Sequence, residues 1–330
     1  MEGAMAASMT PPPAARPFLD QHGWAGATIV PLAGDASFRR YFRVIDGARR
    51  VVLMDAPPPH EDPRPFIDIA RWLGERGFNA PAIHAVDLDH GLVLIEDFGD
   101  DRMREAIDAD ATQTEALYAR AVDVLVSLHR HRPGDLRPYD RRELHREANL
   151  LVEWYCPAVG ITPDIASYSA AWDQVFDAAL TNAPVTVLRD YHAENLMLIG
   201  DDGLGLLDFQ DALAGHPAYD LVSLLQDARR DVEPAIETAM LERYRAATGA
   251  GADFDAAYHI LGAQRNAKIV GIFTRLWKRD GKPRYPALCP RVWRYLHADL
   301  AHPALAPVAG WFAANIPVEK RGDPMVIGGQ

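Results

Sequence analysis

Two short stretches carry oxygen-bearing side chains at spacings that suit chemistry, Leu188-Arg-Asp-Tyr-His-Ala-Glu-Asn195 and Leu206-Leu-Asp-Phe-Gln-Asp211. Asp190 closes an apolar run, Asn195 follows five residues later in the same loop, and Asp208 ends the next strand-turn-strand pattern. Carboxylate and amide oxygens gathered this way suit magnesium, a hard cation that takes few protein ligands and completes its shell with phosphate and water. Phosphoryl transfer needs the same parts: a carboxylate to receive the acceptor's proton, and cations to neutralise phosphate charge. Asp and Asn also populate ordinary turns through local hydrogen bonds, so each residue alone reads equally well as a turn former. The set, flanked by hydrophobic strands and followed by GHPAYDLVSLL, is what points to chemistry. In that following segment Asp220 begins a helix, where an N-cap is the plain alternative.

The elements that must position these residues fall into two kinds. From about Thr28 to Phe98 the runs TIVPL, FRRYFRV, RRVVLMDAP, AIHAV and GLVLIEDF read as strands around one helical stretch, RPFIDIARWLGERG. After Gly99 the periods lengthen to amphipathic helices such as TEALYARAVDVLVSLHRH and DRRELHREANLLVEWY. A β-rich island, 185–209, interrupts them with TVLRD, NLMLI and GLGLLDF. The expected organisation is a Pro/Ala-rich disordered leader over 1–17, a small β-rich lobe over 18–98 and a larger helical lobe over 99–330, an α+β fold.

The loop D-x-x-x-x-N met by Asp190 to Asn195, with Asp208 in LLDFQ at the place of a D-F-G aspartate, resembles the aminoglycoside phosphotransferase and choline kinase family. That resemblance implies the two-lobed protein-kinase-like fold, with ATP and Mg2+ as cofactors. It implies Asp190 as catalytic base, Asn195 and Asp208 as metal ligands, His192 as the loop's second histidine position and Asp220 as a brace for the loop. The match departs at Leu188, where a histidine is common, and at Gln210, where protein kinases have glycine. For the nucleotide, the turn of Gly34, Asp35, Ala36 and Ser37 offers backbone N–H groups to phosphate, or is simply a hairpin. Glu96, Asp97 and Phe98 take the place of the adenine-reading hinge by resemblance. No GxxxxGK[ST] is present, which disfavours a Walker-type ATPase. Residues 1–267 contain no lysine, so the kinase strand lysine is missing; either Arg39, Arg40 or Arg43 takes its charge-neutralising task or the metal ions do more of it, unless the chain is a pseudokinase.

The segments GDASFRRYFRV, VLMDAPPP, REANLLVEWYCPAVG, LRDYHAENLML and QRNAKIVGIFTRL narrow the resemblance to bacterial anomeric amino-sugar kinases. These phosphorylate the C1 hydroxyl of N-acetylmuramate and N-acetylglucosamine in peptidoglycan recycling. The acceptor side agrees with an anionic rather than cationic substrate. At helical spacing Arg265, Lys268, Arg275 and Arg279 share one sector, where a cation could meet the lactyl carboxylate or simply face solvent. On another helix Glu147, Asn149, Glu153, Trp154 and Tyr155 could bond hydroxyls or stack on the ring, with core packing the alternative for the two aromatics. A kinase for another small alcohol and a non-catalytic nucleotide-binding regulator remain as competing readings.

Composition restricts the partners. With 34 Lys and Arg against 46 Asp and Glu the formal charge is −12, which repels nucleic acid. Cys156 and Cys289 are far apart with no CxxC, arguing for free thiols and a reducing compartment. No apolar run approaches the roughly 20 residues of a membrane span, and the N-terminal residues lack a secretory pattern. The expectation is a cytoplasmic enzyme with a small-molecule amino-sugar substrate and no obligatory protein partner.

Overall fold

The computed structural model describes residues 10–32, 38–181 and 183–329. The chain divides into two compact units, one taking in residues up to Ala109 together with Glu194–Asp211, the other Asp110–Ala193 and Ala212–Gln330. The single break expected at 98–99 is thus replaced by three passages of the chain between units.

In the first unit the period-2 runs form an antiparallel sheet of β1 (Thr28–Leu32), β2 (Arg40–Asp46), β3 (Arg49–Asp55), β4 (Ile83–Asp87) and β5 (Leu92–Glu96), in the order β1-β2-β3-β5-β4. A two-residue turn sets the β2–β3 register, pairing Asp46 with Arg49 and Arg40 with Asp55. Helix α1 (Ala15–Gln21) packs Ala15, Phe18 and Leu19 into a cluster with Phe42, Val44, Leu53, Leu92 and Leu94 of the sheet. Burying Phe18 and Leu19 there contributes about 1.5–3 kcal/mol each. Of the residues 1–17 expected as a disordered leader, Ala15 to Pro17 are instead helical, because Ala15 has a buried place to go.

Helix α2 (Arg64–Gly74) buries Phe66, Ile67, Ile69, Ala70 and Leu73 along one stripe, and Phe66 stacks on Phe209 at 5.0 Å between ring centres. Helix α3 (Met103–Ala109) follows. The hairpin at 196–206 belongs to this unit because its backbone is tied there: Leu206 N–H donates to Asn79 O (2.8 Å) and Leu198 N–H to Asp101 O (2.7 Å).

The second unit is helical: α4 (Thr114–Leu128), α5 (Arg141–Ala148), a π-helical turn at Leu151–Tyr155, α6 (Cys156–Ala158) and α7 (Ile165–Asp173) precede β6 (Val185–Val187). After the β7 (Leu196–Ile199) and β8 (Gly203–Leu206) hairpin of the first unit, β9 (Leu213–Gly215) pairs antiparallel with β6. Then come α8 (Ala218–Leu225), α9 (Pro234–Thr248), α10 (Ala252–Lys278), α11 (Cys289–Leu300), α12 (Ala306–Asn315) and α13 (Pro324–Gly328). Asp140 caps α5 by accepting from Glu143 N–H (2.9 Å), as the D-x-x-E spacing directs. The 27-residue α10 is the axis of this unit, and at Gly271 it lies so close to Leu150 that a Cβ would fall 2.3 Å from the Leu150 carbonyl carbon. Among the described residues no helix is long and apolar enough to cross a membrane.

Candidate active site

In the second unit β6 delivers Leu188, Arg189 and Asp190. Arg189 has a φ of +73°, a left-handed conformation that costs a non-glycine residue about 1–3 kcal/mol and persists only when its surroundings over-determine it. They do so here. The Asp220 carboxylate accepts from Leu188 N–H (2.7 Å) and Arg189 N–H (2.8 Å), and Ser223 Oγ donates to Arg189 O (3.0 Å). The Arg189 guanidinium in turn is held by Glu147. Asp220 is the third residue of α8, after Pro217 at the N-cap, and its carboxylate serves the loop rather than its own helix. It is fully buried, and burial pushes its carboxyl up to about 7 against the pull of the two N–H groups.

Asp190 is held below the usual carboxylate range. Burial opposes its charge, and the nearby Lys268, Arg265 and Arg189 outweigh that opposition, so it is ionised at neutral pH. Glu147, 1% exposed, is the hub of this cation set. It takes hydrogen bonds from Tyr139 and Arg189 and from Gln264 Nε2 (3.4 Å), and pairs with Lys268 Nζ at 2.9 Å. Burial again opposes, yet Lys268 and Arg189 bring the Glu147 carboxyl down to about 2. The sugar contact expected of Glu147 is therefore corrected: an enclosed, multiply bonded carboxylate positions cations and has no face to offer a hydroxyl.

Other acceptor-side expectations divide. Arg265, 3% exposed, donates to Ser223 Oγ (2.8 Å), and Lys268 also donates to the Tyr219 hydroxyl (3.2 Å), so both sit inside the α10 stripe while Arg279 is exposed and pairs with Asp280. His192 is 3% exposed; its Nε2 accepts from Arg229 Nη1 (3.2 Å), which fixes a neutral ring, and burial lowers its pKa. Tyr155 is core, its hydroxyl bonded to Lys320 O (2.7 Å). Glu153 is exposed and, with Trp154, Lys278 and Lys320, lines a cavity of about 680 Å³ whose walls include neither Asp190 nor Lys268.

The first unit carries the oxygen pair. Asn195 ends a 3-10 turn before β7, and its carbonyl accepts from Leu207 N–H (3.0 Å). Asp208, with a φ of +59°, accepts from Gln210 Nε2 (2.8 Å) and from Asn195 Nδ2 (3.5 Å). An exposed carboxylate with a side-chain amide next to it offers hard oxygen donors of the kind that fit Mg2+ completed by water and phosphate. Among the described residues no group of three or more His, Cys, Asp or Glu is arranged to hold a metal.

The expected hinge follows β5. Ala82 N–H donates to the Glu96 carboxylate (3.2 Å), Asp97 accepts from Gly99 N–H (2.9 Å), and Phe98 lies where a Cβ on Gly205 would fall 2.7 Å from its ring. Arg43, expected at the phosphates, is instead closed in by Asp97 (2.7 Å), Asp100 (2.9 Å) and Gly99 O (3.1 Å), a correction that its register on β2 explains, since its neighbour across β3 leads to the β5 end. Gly34, Asp35, Ala36 and Ser37 lie outside the described residues.

The profile described as "Phosphotransferase enzyme family" matches residues 28–259. The chain belongs to that family. It is 38% identical over 350 residues to an N-acetylmuramate/N-acetylglucosamine kinase of Caulobacter vibrioides, covering 92% of this chain and 96% of the relative. A protein of the same name from Pseudomonas aeruginosa is 38% identical over 312 residues, covering 89% and 91%. The phosphotransferase fold is shared with a choline kinase of Streptococcus pneumoniae, with a TM-score of 0.64 at 12% identity over 87% of this chain and 99% of that one. An aminoglycoside phosphotransferase solved with streptomycin and ATP gives a TM-score of 0.58 at 14% identity, covering 90% and 98%. The protein-kinase-like α+β architecture read from the sequence is thus the observed one.

Proposed function

We propose that this phosphotransferase uses ATP to phosphorylate the C1 hydroxyl of N-acetylmuramate and N-acetylglucosamine. The observation that carries the sugar assignment is the 38% identity, over nearly the whole chain, to kinases named for those two sugars. The chemistry of the loop supports it. A hemiacetal hydroxyl is more acidic than an ordinary alcohol, so it asks only modest assistance of the base, and an ionised Asp190 carboxylate can receive its proton. In the proposed reaction Asp190 orients the C1 hydroxyl and receives its proton while the C1 oxygen bonds to the γ-phosphorus and the bond to the β-phosphate oxygen breaks, releasing ADP. Magnesium held by Asn195 and Asp208 supplies charge neutralisation at the phosphates. Arg189 and Lys268 keep Asp190 ionised between turnovers, and Asp220 keeps it in place.

A cytoplasmic site of action follows from the use of ATP, and the product, a sugar 1-phosphate, is the form a nucleotidyltransferase consumes in cell-wall recycling. The assignment is tested by ³¹P NMR of the protein with MgATP and N-acetylmuramate. A new phosphate ester coupled to the anomeric proton is expected. ADP formation without a sugar phosphate would reject the acceptor, and an unchanged spectrum from folded protein would make the chain a pseudokinase.

A further inference from the structure

Arg189 lies between two peptide planes that are held separately. Its own N–H is taken by the Asp220 carboxylate (2.8 Å), and its carbonyl accepts from Ser223 Oγ (3.0 Å). Asp220 and Ser223 are three residues apart on α8 and so share one face. Asp190 N–H donates to Leu188 O (2.9 Å), which closes a three-residue turn about Arg189 at its φ of +73°, the rare and strained form of the γ-turn. The Arg189 carbonyl and the Asp190 N–H belong to one peptide plane, so whatever fixes that carbonyl fixes the backbone from which the Asp190 side chain projects.

Ser223 alone would not select that carbonyl. A serine inside a helix has the carbonyls one turn earlier within reach of its hydroxyl, and it has a single proton to donate. Arg265 of α10 decides between them. Its Nη2 donates to Ser223 Oγ (2.8 Å), and a donor arriving on that oxygen leaves the Ser223 proton directed at Arg189 O. Both side chains are buried, Ser223 completely and Arg265 to 3% exposure. A guanidinium is costly to place in such surroundings, and the hydrogen bond it makes there is to Ser223. A charged donor also strengthens the bond that its acceptor passes on, because hydrogen bonds in a chain polarise one another.

We propose that Arg265 is a positioning residue for the catalytic base: through Ser223 it locks the Arg189–Asp190 peptide in the strained turn that presents Asp190. This role differs from the acceptor contact expected from its place on α10. The inference rests on the reading of Asp190 as the base but not on the identity of the sugar.

The test is steady-state kinetics of the full chain with MgATP and N-acetylmuramate, for wild type, S223A, R265M, R265K and the double variant S223A/R265M. A base left free to drift predicts kcat about 10- to 100-fold lower in R265M, with KM for both substrates within about threefold and partial recovery in R265K. Because the effect passes through Ser223, R265M should cost less than about threefold in the S223A background. A raised sugar KM at unchanged kcat would make Arg265 a substrate contact. A lowered melting temperature with kinetics intact would make it packing alone, and losses that multiply in the double variant would bypass Ser223; each of these three results overturns the proposal. If R265M does not fold, S223A decides: its loss must fall on kcat and not on KM, and R265K added to it must bring no further loss. If the wild type forms no sugar phosphate, the acceptor reading falls and amide exchange followed by NMR decides this inference. The Arg189 and Asp190 amides must then exchange about tenfold faster or more in S223A and in whichever Arg265 variant folds, with the α10 amides as protected as in wild type. Unchanged exchange at Arg189 and Asp190 refutes it.

Discussion

Replacing Glu147 by glutamine removes one charge from a network that holds two cations beside Asp190, while keeping the shape and an acceptor for Tyr139 and Gln264. The cost can be worked in two ways. A carboxyl held at about 2 in the folded chain and near 4.5 when unfolded carries about 3 kcal/mol of stability. Breaking a buried ion pair from one side independently suggests about 3–5 kcal/mol. For a unit of this size each kcal/mol lowers the unfolding midpoint by about 2–4 °C, so E147Q should melt about 6–12 °C below wild type at pH 7. The sign with pH is fixed, because the folded carboxyl titrates lower than the unfolded one. Its contribution is present above about 4.5 and is lost as the pH falls through about 2. Glutamine cannot titrate, so the gap between the two proteins should be constant from pH 7 to 5 and narrow below 4.5. Differential scanning calorimetry over that range measures it. A gap under about 2 °C at pH 7, or one that fails to narrow in acid, would refute the view of Glu147 as the hub of the cation set.

Asp190→Asn should lower kcat about 10²- to 10⁴-fold with MgATP affinity kept, as read by coupled ADP release and calorimetry; unchanged turnover would remove Asp190 as the base. Asp208→Ala should abolish the magnesium dependence of ATP affinity, and a persisting dependence would place the metal elsewhere. Asp220→Ala strands two buried N–H groups at about 1–3 kcal/mol each and lets Asp190 drift, at about 10²-fold in kcat; Asp220→Asn should recover part of both, measured by melting and by rate. Arg43→Ala should lower the melting temperature and weaken AMP and MgATP alike, since its partners Asp97 and Gly99 belong to the expected adenine-reading hinge, and calorimetry showing a loss confined to MgATP would return Arg43 to the phosphates.

The strands and helices were legible because apolar periodicity changes from two to 3.6 near Gly99, and the loop was legible because Asp190, Asn195 and Asp208 stand at fixed offsets. Burial was harder to read where it depends on distant partners. Glu147 lies in DRRELHREA, a stretch as polar as any solvent-facing helix, and only Arg189 and Lys268, brought from other elements, turn it inward. Arg43 and Arg39 are close neighbours in sequence, and the register on β2 and the carboxylates around it, not residue type, separate their surroundings. Helix α1 escaped because the Pro/Ala-rich residues before it have the composition of a leader, while its few apolar residues find a sheet face no local pattern announces.

The π-helical turn at Leu151–Tyr155 also had no local signature, since it arises where α10 presses on Leu150 at Gly271. Its consequence is one of phase. An α-helix turns about 100° per residue, and a wide turn absorbs one residue more than an α turn would, with Cys156 N–H reaching back to Leu151 O. Deleting a single residue there would let the segment close as regular α-helix while the turns on either side keep their phase, because the extra residue is already absorbed in the wide turn. The same deletion in the regular turns of α5 would swing every later side chain about 100° around the axis. In deletion scanning the wide turn should therefore tolerate the loss of one residue better than α5 does, although its backbone is the least regular part of the segment.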